Sequence, residues 1–292
     1  MSTTPPALAD VPAPAKLNLC LHIVGRRADG YHLLQSLFVL LDWADTLHFE
    51  RRADGGLARH DLGAALPDDD LCLRAARALQ AASGTRWGAD IAIDKRVPTG
   101  AGLGGGSSDA ATTLLALNRL WGLDWPRARL QTLALALGAD VPFFVGGRNA
   151  LVEGVGERLT PVHVAPQWFA LVKPPAGIET RSVFAHPRAV RDAGPAILSG
   201  SLEDAASWAA CQGRNDLQAA AEALCPDVTR ALQLLRERFG DSRMTGSGSA
   251  VFAGAGTGDR PVAALPEPLG AGWVGRMCRS LEAHPLVGWA AD

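Results

Sequence analysis

Two hydrophobic periods run through this chain and take turns along it. From position 15 a two-residue repeat places Leu17, Leu19, Leu21 and Ile23 on one side and Lys16, Asn18, Cys20 and His22 on the other. That is the pattern of a strand with one polar face. Lys16 and Asn18, two positions apart, point the same way; a solvated face and a working surface fit the pattern equally well. Residues 36–50 read as a second strand, interrupted near Asp42-Trp43-Ala44-Asp45, and the polar, Gly/Ala-rich stretch 51–66 reads as a turn or hairpin. Asp68-Asp69-Asp70 then precede a helix over 71–82, where acidic residues complement the helix dipole. A strand is predicted over 89–97. Apolar side chains at 111, 114, 115, 117, 120 and 121 give the following segment the period of a helix with one buried face.

Further on, Pro126 suits the first turn of a helix that stops at Gly138, and Val141-Pro142 begin a short one. Residues 149–157 resemble a strand and turn, 168–172 a strand and 226–239 a clear amphipathic helix; Asn215-Asp216-Leu217 open another helix. A second glycine loop, 243–252, leads into a strand, and 273–278 repeats the strand pattern. Residues 185–205 lack periodicity and read as a surface loop. A boundary within 158–167 divides the 292 residues into an N-terminal domain, 1–162, and a C-terminal domain, 163–292.

Composition narrows the picture. Hydrophobic residues make up 48% and charged residues 20%, as in a chain with a real core. A net charge of −2 and the lack of a basic stripe argue against nucleic acid or an anionic membrane as partner. The N-terminus lacks a secretory pattern, no run of about 20 apolar residues exists, and the five cysteines are widely spaced. These features predict a cytoplasmic protein with reduced, core cysteines; monomer and homodimer both stay open. Of 28 basic residues only Lys16, Lys95 and Lys173 are lysines, which directs attention to three compact, movable charges.

The chemistry starts at Val97-Pro98-Thr99-Gly100-Ala101-Gly102-Leu103-Gly104-Gly105-Gly106-Ser107-Ser108, with five glycines in seven positions between a strand and a helix. A helix start offers unpaired N–H groups and partial positive charge, and glycine permits close backbone approach. Ser107 or Ser108 can cap the helix or donate to an oxygen. The sum is an anion cradle, most often for phosphate. A P-loop would need a lysine after the glycines, and none is there. Gly100-x-Gly102-x-x-Gly105 matches a dinucleotide fingerprint, but the acidic residue at the right distance, Asp124, lies between two helices rather than at a strand end. The remaining reading is a kinase with its base and lysine supplied from elsewhere. Asp140 enters an apolar segment, where it can both precede a helix as its N-cap and act as a general base, and Lys16 would stabilise charge on the attacking oxygen. Tyr31, the one tyrosine, stands beside His32 in a glycine-bounded loop, a pair able to stack on a planar ring.

Five motifs occur in one order: Pro14-Ala15-Lys16-Leu17-Asn18-Leu19, Gly25-Arg26-Arg27-Ala28-Asp29-Gly30-Tyr31-His32, the 97–108 loop, Gly138-Ala139-Asp140-Val141-Pro142-Phe143, and Thr245-Gly246-Ser247-Gly248-Ser249-Ala250. With them the chain resembles the GHMP kinase superfamily over nearly its whole length. The resemblance implies a two-domain α+β fold, with an N-terminal domain like domain 2 of ribosomal protein S5 and a ferredoxin-like C-terminal domain. It implies ATP with its phosphates on Pro98, Gly100, Ala101, Gly102, Leu103, Gly104, Gly105, Gly106, Ser107 and Ser108, and Lys95 near the adenine. Mg²⁺ would accompany ATP, its protein ligands unassigned. Asp140 matches the family base and Lys16 its partner. Asn18, Tyr31, His32, Thr180 and Phe184 match positions around the acceptor, with His32 and Phe184 on the two faces of a cytosine. The implied reaction phosphorylates the 2-hydroxyl of a cytidine diphosphate-linked methylerythritol on the way to isoprenoid precursors.

The chain departs from the family pattern in two extra glycines after Gly104 and in Asp70, where relatives carry Asn; Asp70 offers acceptors only. Homoserine or mevalonate-type acceptors are the nearest alternative, although a small substrate needs no 25–32 segment. An RNA-associated module sharing the N-terminal fold, and a dinucleotide-dependent oxidoreductase, stand further off.

Overall fold

The computed structural model describes residues 6–191, 214–267 and 269–292. Its spine is a pair of long antiparallel strands, β1 (Ala7–Arg26) and β2 (His32–Arg52), joined by the short 27–31 loop. The strands β3 (Leu57–Asp61), β4 (Gly88–Asp94), β5 (Ala150–Gly154) and β6 (Arg158–Pro161) complete a six-stranded sheet in the order β3-β4-β2-β5-β6, with β1 also on β2. Four helices pack on it: α1 (Leu71–Ser83), α2 (Gly105–Leu120), α3 (Arg127–Leu135) and α4 (Val141–Gly146). Leu79, Leu114, Leu117 and Phe143 from these helices meet Leu47, Phe49, Ile91 and Ile93 from the sheet in one buried cluster.

The second sheet is β7 (Trp168–Lys173), β8 (Arg243–Met244), β9 (Val251–Gly254) and β10 (Val274–Arg279), in the order β10-β7-β9-β8. Counted from its own first strand that order is 4-1-3-2, the ferredoxin-like arrangement. Three helices accompany it among the described residues: α5 (Thr180–Ala185), α6 (Gln218–Leu224) and α7 (Pro226–Phe239). Leu232 and Leu235 of α7 pack on Val172 and Ala253. The two sheets share a middle cluster in which Leu17, Leu37 and Leu151 meet Phe169, Leu171 and Phe252. The chain end then returns to the first sheet's core with Leu286 and Ala290.

Several sequence expectations change. The break predicted at 42–45 is a bulge within a continuous β2: Pro14 pairs with Ala44 and Lys16 with Leu40, so β2 carries extra residues opposite Ala15. The 51–66 stretch holds β3, which runs parallel to β4 rather than folding back as a hairpin. The strand expected to reach 97 ends at Asp94. A second irregularity between Asn18 and Leu21 shifts the β1 register, so the simple alternation of faces does not persist. Nor is the polar face of β1 solvated: Lys16, Asn18 and His22 are all buried. Asn18 lies against Thr245 and His22 against Asp216, both from the C-terminal half. Four cysteines, Cys20, Cys72, Cys225 and Cys278, are free and buried. Cys211 and most of the predicted 185–205 loop lie outside the described residues.

Candidate active site

Lys16 sits in the middle of β1, and its backbone N–H donates to Leu103 O at 3.0 Å, which fastens the glycine loop to the strand. Its ammonium donates to Asn18 Oδ1, lies 4.6 Å from the Phe38 ring centroid and is 3.5 Å from Asp140 Oδ2. Asn18 is fixed in turn: its Nδ2 donates to Ser36 Oγ at 2.9 Å and its backbone N–H to Thr245 Oγ1 at 2.9 Å. A buried ammonium with a hydrogen-bonded amide on one side and a carboxylate on the other is a charge held in one place.

Asp140 is the residue before α4, but its side chain makes no capping bond. The expected capping role is therefore positional alone. The carboxylate is turned toward Lys16 instead, and 31% of its side chain remains exposed. Part of the carboxylate therefore stays reachable from the cleft that Asp140 lines.

The loop before α2 uses left-handed backbone at Gly100, Gly102 and Gly104, with φ of 61°, 76° and 71°. A Cβ on Gly102 would lie 2.4 Å from Thr245 O, and one on Gly104 would lie 2.9 Å from Phe144 Cζ, so both glycines are sterically required. The two glycine loops are also tied to each other, since Ala250 N donates to Ala101 O at 3.1 Å. The three left-handed glycines line the cleft, while Ala101 and Leu103 point into the core. Gly105, Gly106, Ser107 and Ser108 form the first turn of α2, whose N-cap is Gly104. Neither serine caps the helix, because both lie inside it. Ser107 is half-buried, while Ser108 is fully buried and its Oγ has no hydrogen-bond partner. Pro98 precedes the left-handed glycines and does not face the cleft.

Lys95 is engaged beneath that turn. Its ammonium donates to Asp45 Oδ2 and to Asp109 Oδ2, the latter at 2.6 Å. Asp45 also accepts from the backbone N–H groups of Arg96 and Val97 at 2.6 and 2.7 Å, so it clamps the strand end that delivers the loop. Burial pushes the Asp109 carboxyl up to about 8; the Lys95 ammonium opposes this and the Asp45 charge adds to it. The Asp70 carboxylate accepts from Leu73 N at 3.1 Å to cap α1 and lies 3.0 Å from Arg59.

The opposite end of the cleft carries the rings. His32, at the start of β2, and Phe184, in α5, stack with centroids 5.0 Å apart and planes 20° from parallel. A base between them needs about 7 Å, two stacking rises of ~3.4 Å, so the rings must part by about 2 Å to take one. Tyr31 stands at the rim, 66% exposed. Thr180 Oγ1 lies 2.8 Å from Ser247 Oγ and joins α5 to the second glycine loop. The whole cleft measures about 1150 Å³, more than the roughly 300–1,000 Å³ typical of one small-ligand pocket.

Lys16, Asn18, Tyr31, His32, Asp140, Thr180 and Phe184 thus line one cleft with Gly100, Gly102 and Gly104, whereas Lys95 and the helix start Gly105, Gly106, Ser107 and Ser108 lie outside its lining. Thr245 and Asn215 also support the site, and no local period marks them in the sequence. Asn215 Nδ2 donates to Met244 O and Gly246 O at 2.9 and 2.8 Å and holds the second glycine loop against Asn18. The glycine motif at 245–250 was the available signal. No three His, Cys, Asp or Glu side chains converge as a metal cage among the described residues. Of the two serines at the start of α2, Ser107 is the nearer to the surface.

The family model "GHMP kinases N terminal domain" matches residues 70–148 and "GHMP kinases C terminal" matches 194–265. A protein of Methylibium petroleiphilum named 4-diphosphocytidyl-2-C-methyl-D-erythritol kinase is 63% identical over 97% of this chain and 98% of its own. One of the same name from Paracidovorax citrulli is 57% identical over 98% of each. A crystal structure of 4-(cytidine 5'-diphospho)-2C-methyl-D-erythritol kinase superposes with a TM-score of 0.67 at 39% identity, covering 84% of this chain and 89% of its own. A homoserine kinase from Cytophaga hutchinsonii superposes with a TM-score of 0.70 at 15% identity over 97% of each. Fold similarity is comparable for the two structures, and sequence identity, 39% against 15%, separates them.

Proposed function

The chain belongs to the GHMP kinase family, and on that premise we propose that it transfers the γ-phosphoryl group of ATP to the 2-hydroxyl of 4-diphosphocytidyl-2-C-methyl-D-erythritol, a step toward isoprenoid precursors. One observation carries the reading: the phosphate-type loop, the Lys16–Asp140 pair and the His32–Phe184 ring pair open onto a single cleft. Relatives between 51% and 63% identical over nearly the full chain bear that enzyme's name.

In this reading the ATP phosphates rest on the first turn of α2, where unpaired N–H groups and the helix dipole offset their charge. The acceptor hydroxyl approaches Asp140, which takes its proton as the oxygen attacks phosphorus. The Lys16 ammonium, 3.5 Å from Asp140 Oδ2, stabilises the charge gathering between the two. His32 and Phe184 hold the cytosine and so set the distance of the hydroxyl from the base. Mg²⁺ bound to the nucleotide would neutralise phosphate charge, with Ser107 beside it. We divide the molecule into 1–162, holding the ATP loop and the base, and 163–292, which adds Thr180 and Phe184. We place the reaction in the cytoplasm, where buried unbridged cysteines are the rule; no described helix is long and apolar enough to cross a membrane.

The test is ADP release with ATP, Mg²⁺ and each of three acceptors. Turnover with the diphosphocytidyl compound, and none above background with homoserine or mevalonate, is expected. Turnover with homoserine and none with the cytidylyl compound would overturn the assignment.

A further inference from the structure

The ring end of the cleft carries a charge surplus that the phosphate loop and the Lys16–Asp140 pair do not explain. Its lining includes Lys16, Arg26, Arg181 and Arg191 against Asp29 and Asp140. Lys16 is matched by Asp140, and Asp29 is matched by Arg27 at 2.8 Å. Arg26, Arg181 and Arg191 have no carboxylate within salt-bridge distance among the described residues. Three guanidiniums facing one cavity without counter-charges create a field suited to an anion.

Two of the three are built into the supports of the rings. Arg26 Nε donates to Gly30 O at 3.1 Å, bracing the loop that ends in Tyr31 and His32. That loop is tight in its own right: Arg27 N donates to Tyr31 O at 2.8 Å and Tyr31 N to Asp29 Oδ1 at 3.2 Å. Arg191 Nη2 donates to Phe184 O at 2.7 Å and to His186 O at 3.1 Å, at the C-terminal end of α5, where a cation is favoured. In each case backbone carbonyls hold one nitrogen of the guanidinium, and the residue lines the cleft. Arg181 lies one turn before Phe184 on α5, so the two share a face.

We infer that Arg26 and Arg191, with Arg181 beside them, are specificity-determining residues that recognise the diphosphate joined to the ring held between His32 and Phe184. This rests on the functional reading above. A base stacked between the two rings carries its phosphates within reach of side chains anchored to those same rings' backbones. A neutral nucleoside would gain the stacking and nothing from the arginines. The Arg191 and Arg26 carbonyl bonds fix each guanidinium relative to a ring, so phosphate recognition and ring recognition act as one unit.

The experiment compares CDP with cytidine as probes, by calorimetry, at low and high salt, for the wild-type chain and for Arg191→Met, Arg191→Lys, Arg26→Met and Arg181→Met. The wild type is expected to bind CDP more tightly than cytidine, with the advantage shrinking as salt rises. Arg191→Met and Arg26→Met should each lower CDP affinity about tenfold and flatten its salt dependence, while KM for ATP stays within about twofold and reports a folded loop. Arg191→Lys should recover part of the CDP affinity, because it restores charge and one donor. Cytidine affinity should change far less than CDP affinity in every variant. An unchanged CDP-to-cytidine ratio in Arg191→Met and Arg26→Met overturns the inference and leaves the kinase assignment standing. A wild-type chain that binds neither probe overturns the assignment and the inference with it.

Discussion

At the scale of the residue, Lys16 is held by more restraints than its single charge needs. Its amide holds Leu103, its ammonium holds Asn18 and lies over Phe38, and Asp140 stands 3.5 Å away. Its position in the sequence reading came from its rarity and from its sharing a strand face with Asn18; its depth came from contacts 227 residues away in sequence, Asn18 with Thr245, which no local period reveals. Replacing Lys16 by Met should lower kcat by about 10²–10³, the size expected for losing one charged transition-state contact, while CDP affinity stays within a few-fold. Steady-state kinetics with CDP binding as control checks this. His32→Ala acts on another parameter. Losing one face of the ring pair removes stacking of ~1–3 kcal/mol, so KM for the cytidylyl acceptor should rise at least severalfold with KM for ATP nearly unchanged. A rise confined to ATP would place His32 at the wrong end of the cleft.

At the scale of the element, the strand β4, the glycine loop and α2 form one delivery device, and Asp45 is its fastening. It accepts two backbone N–H bonds where the strand ends and pairs with Lys95 under the helix start. Asp45→Ala leaves a buried ammonium with one remaining carboxylate and two N–H groups unpaired. The expected cost is about 3–5 kcal/mol, read as a lower melting temperature, together with a raised KM for ATP rather than for the acceptor. The order strand, glycine loop, helix was legible in the sequence because glycine spacing and hydrophobic period both mark it. The amphipathic pattern at 226–239 likewise coincides with α7. Asp45 was not legible: a lone carboxylate within a strand read as an interruption, since its partners lie about fifty residues on. The same reason hid β3, whose five residues are short and half-polar and gain order only from pairing parallel to β4. The arginines of the ring end were not legible, because Arg26 at the end of β1, Arg181 in α5 and Arg191 beyond it stand on separate segments and share no period.

At the scale of the whole molecule, the last residues lock the two halves together. Arg127 is buried and its guanidinium binds Asp292 Oδ1 at 2.5 Å, Val145 O at 2.7 Å, Ala290 O at 2.8 Å and Val287 O, while its backbone N–H donates to Ala291 O at 2.7 Å. Val145 lies in α4, the helix that Asp140 precedes. His284 beside it is buried, and that burial, with the Arg127 charge second, holds its imidazole down to about 3. Between the unfolded value of ~6.5 and about 3 the unfolded chain takes a proton that the folded chain refuses. Stability from this group is therefore complete above about pH 6.5 and is lost as pH falls toward 3. His284→Gln should lose less melting temperature between pH 7 and pH 5 than the wild type does; an equal or larger loss would contradict the sign. In the function proposed above, the ring pair and the glycine loop converge on one act, the removal of a proton from an acceptor hydroxyl by Asp140. The most direct test of that act is the turnover number of Asp140→Asn with ATP, Mg²⁺ and the diphosphocytidyl acceptor, measured beside CDP binding and melting temperature. The expected result is a fall in kcat of about 10²–10⁴ with binding and stability near those of the wild type; turnover close to wild type would contradict the role of Asp140 as the base.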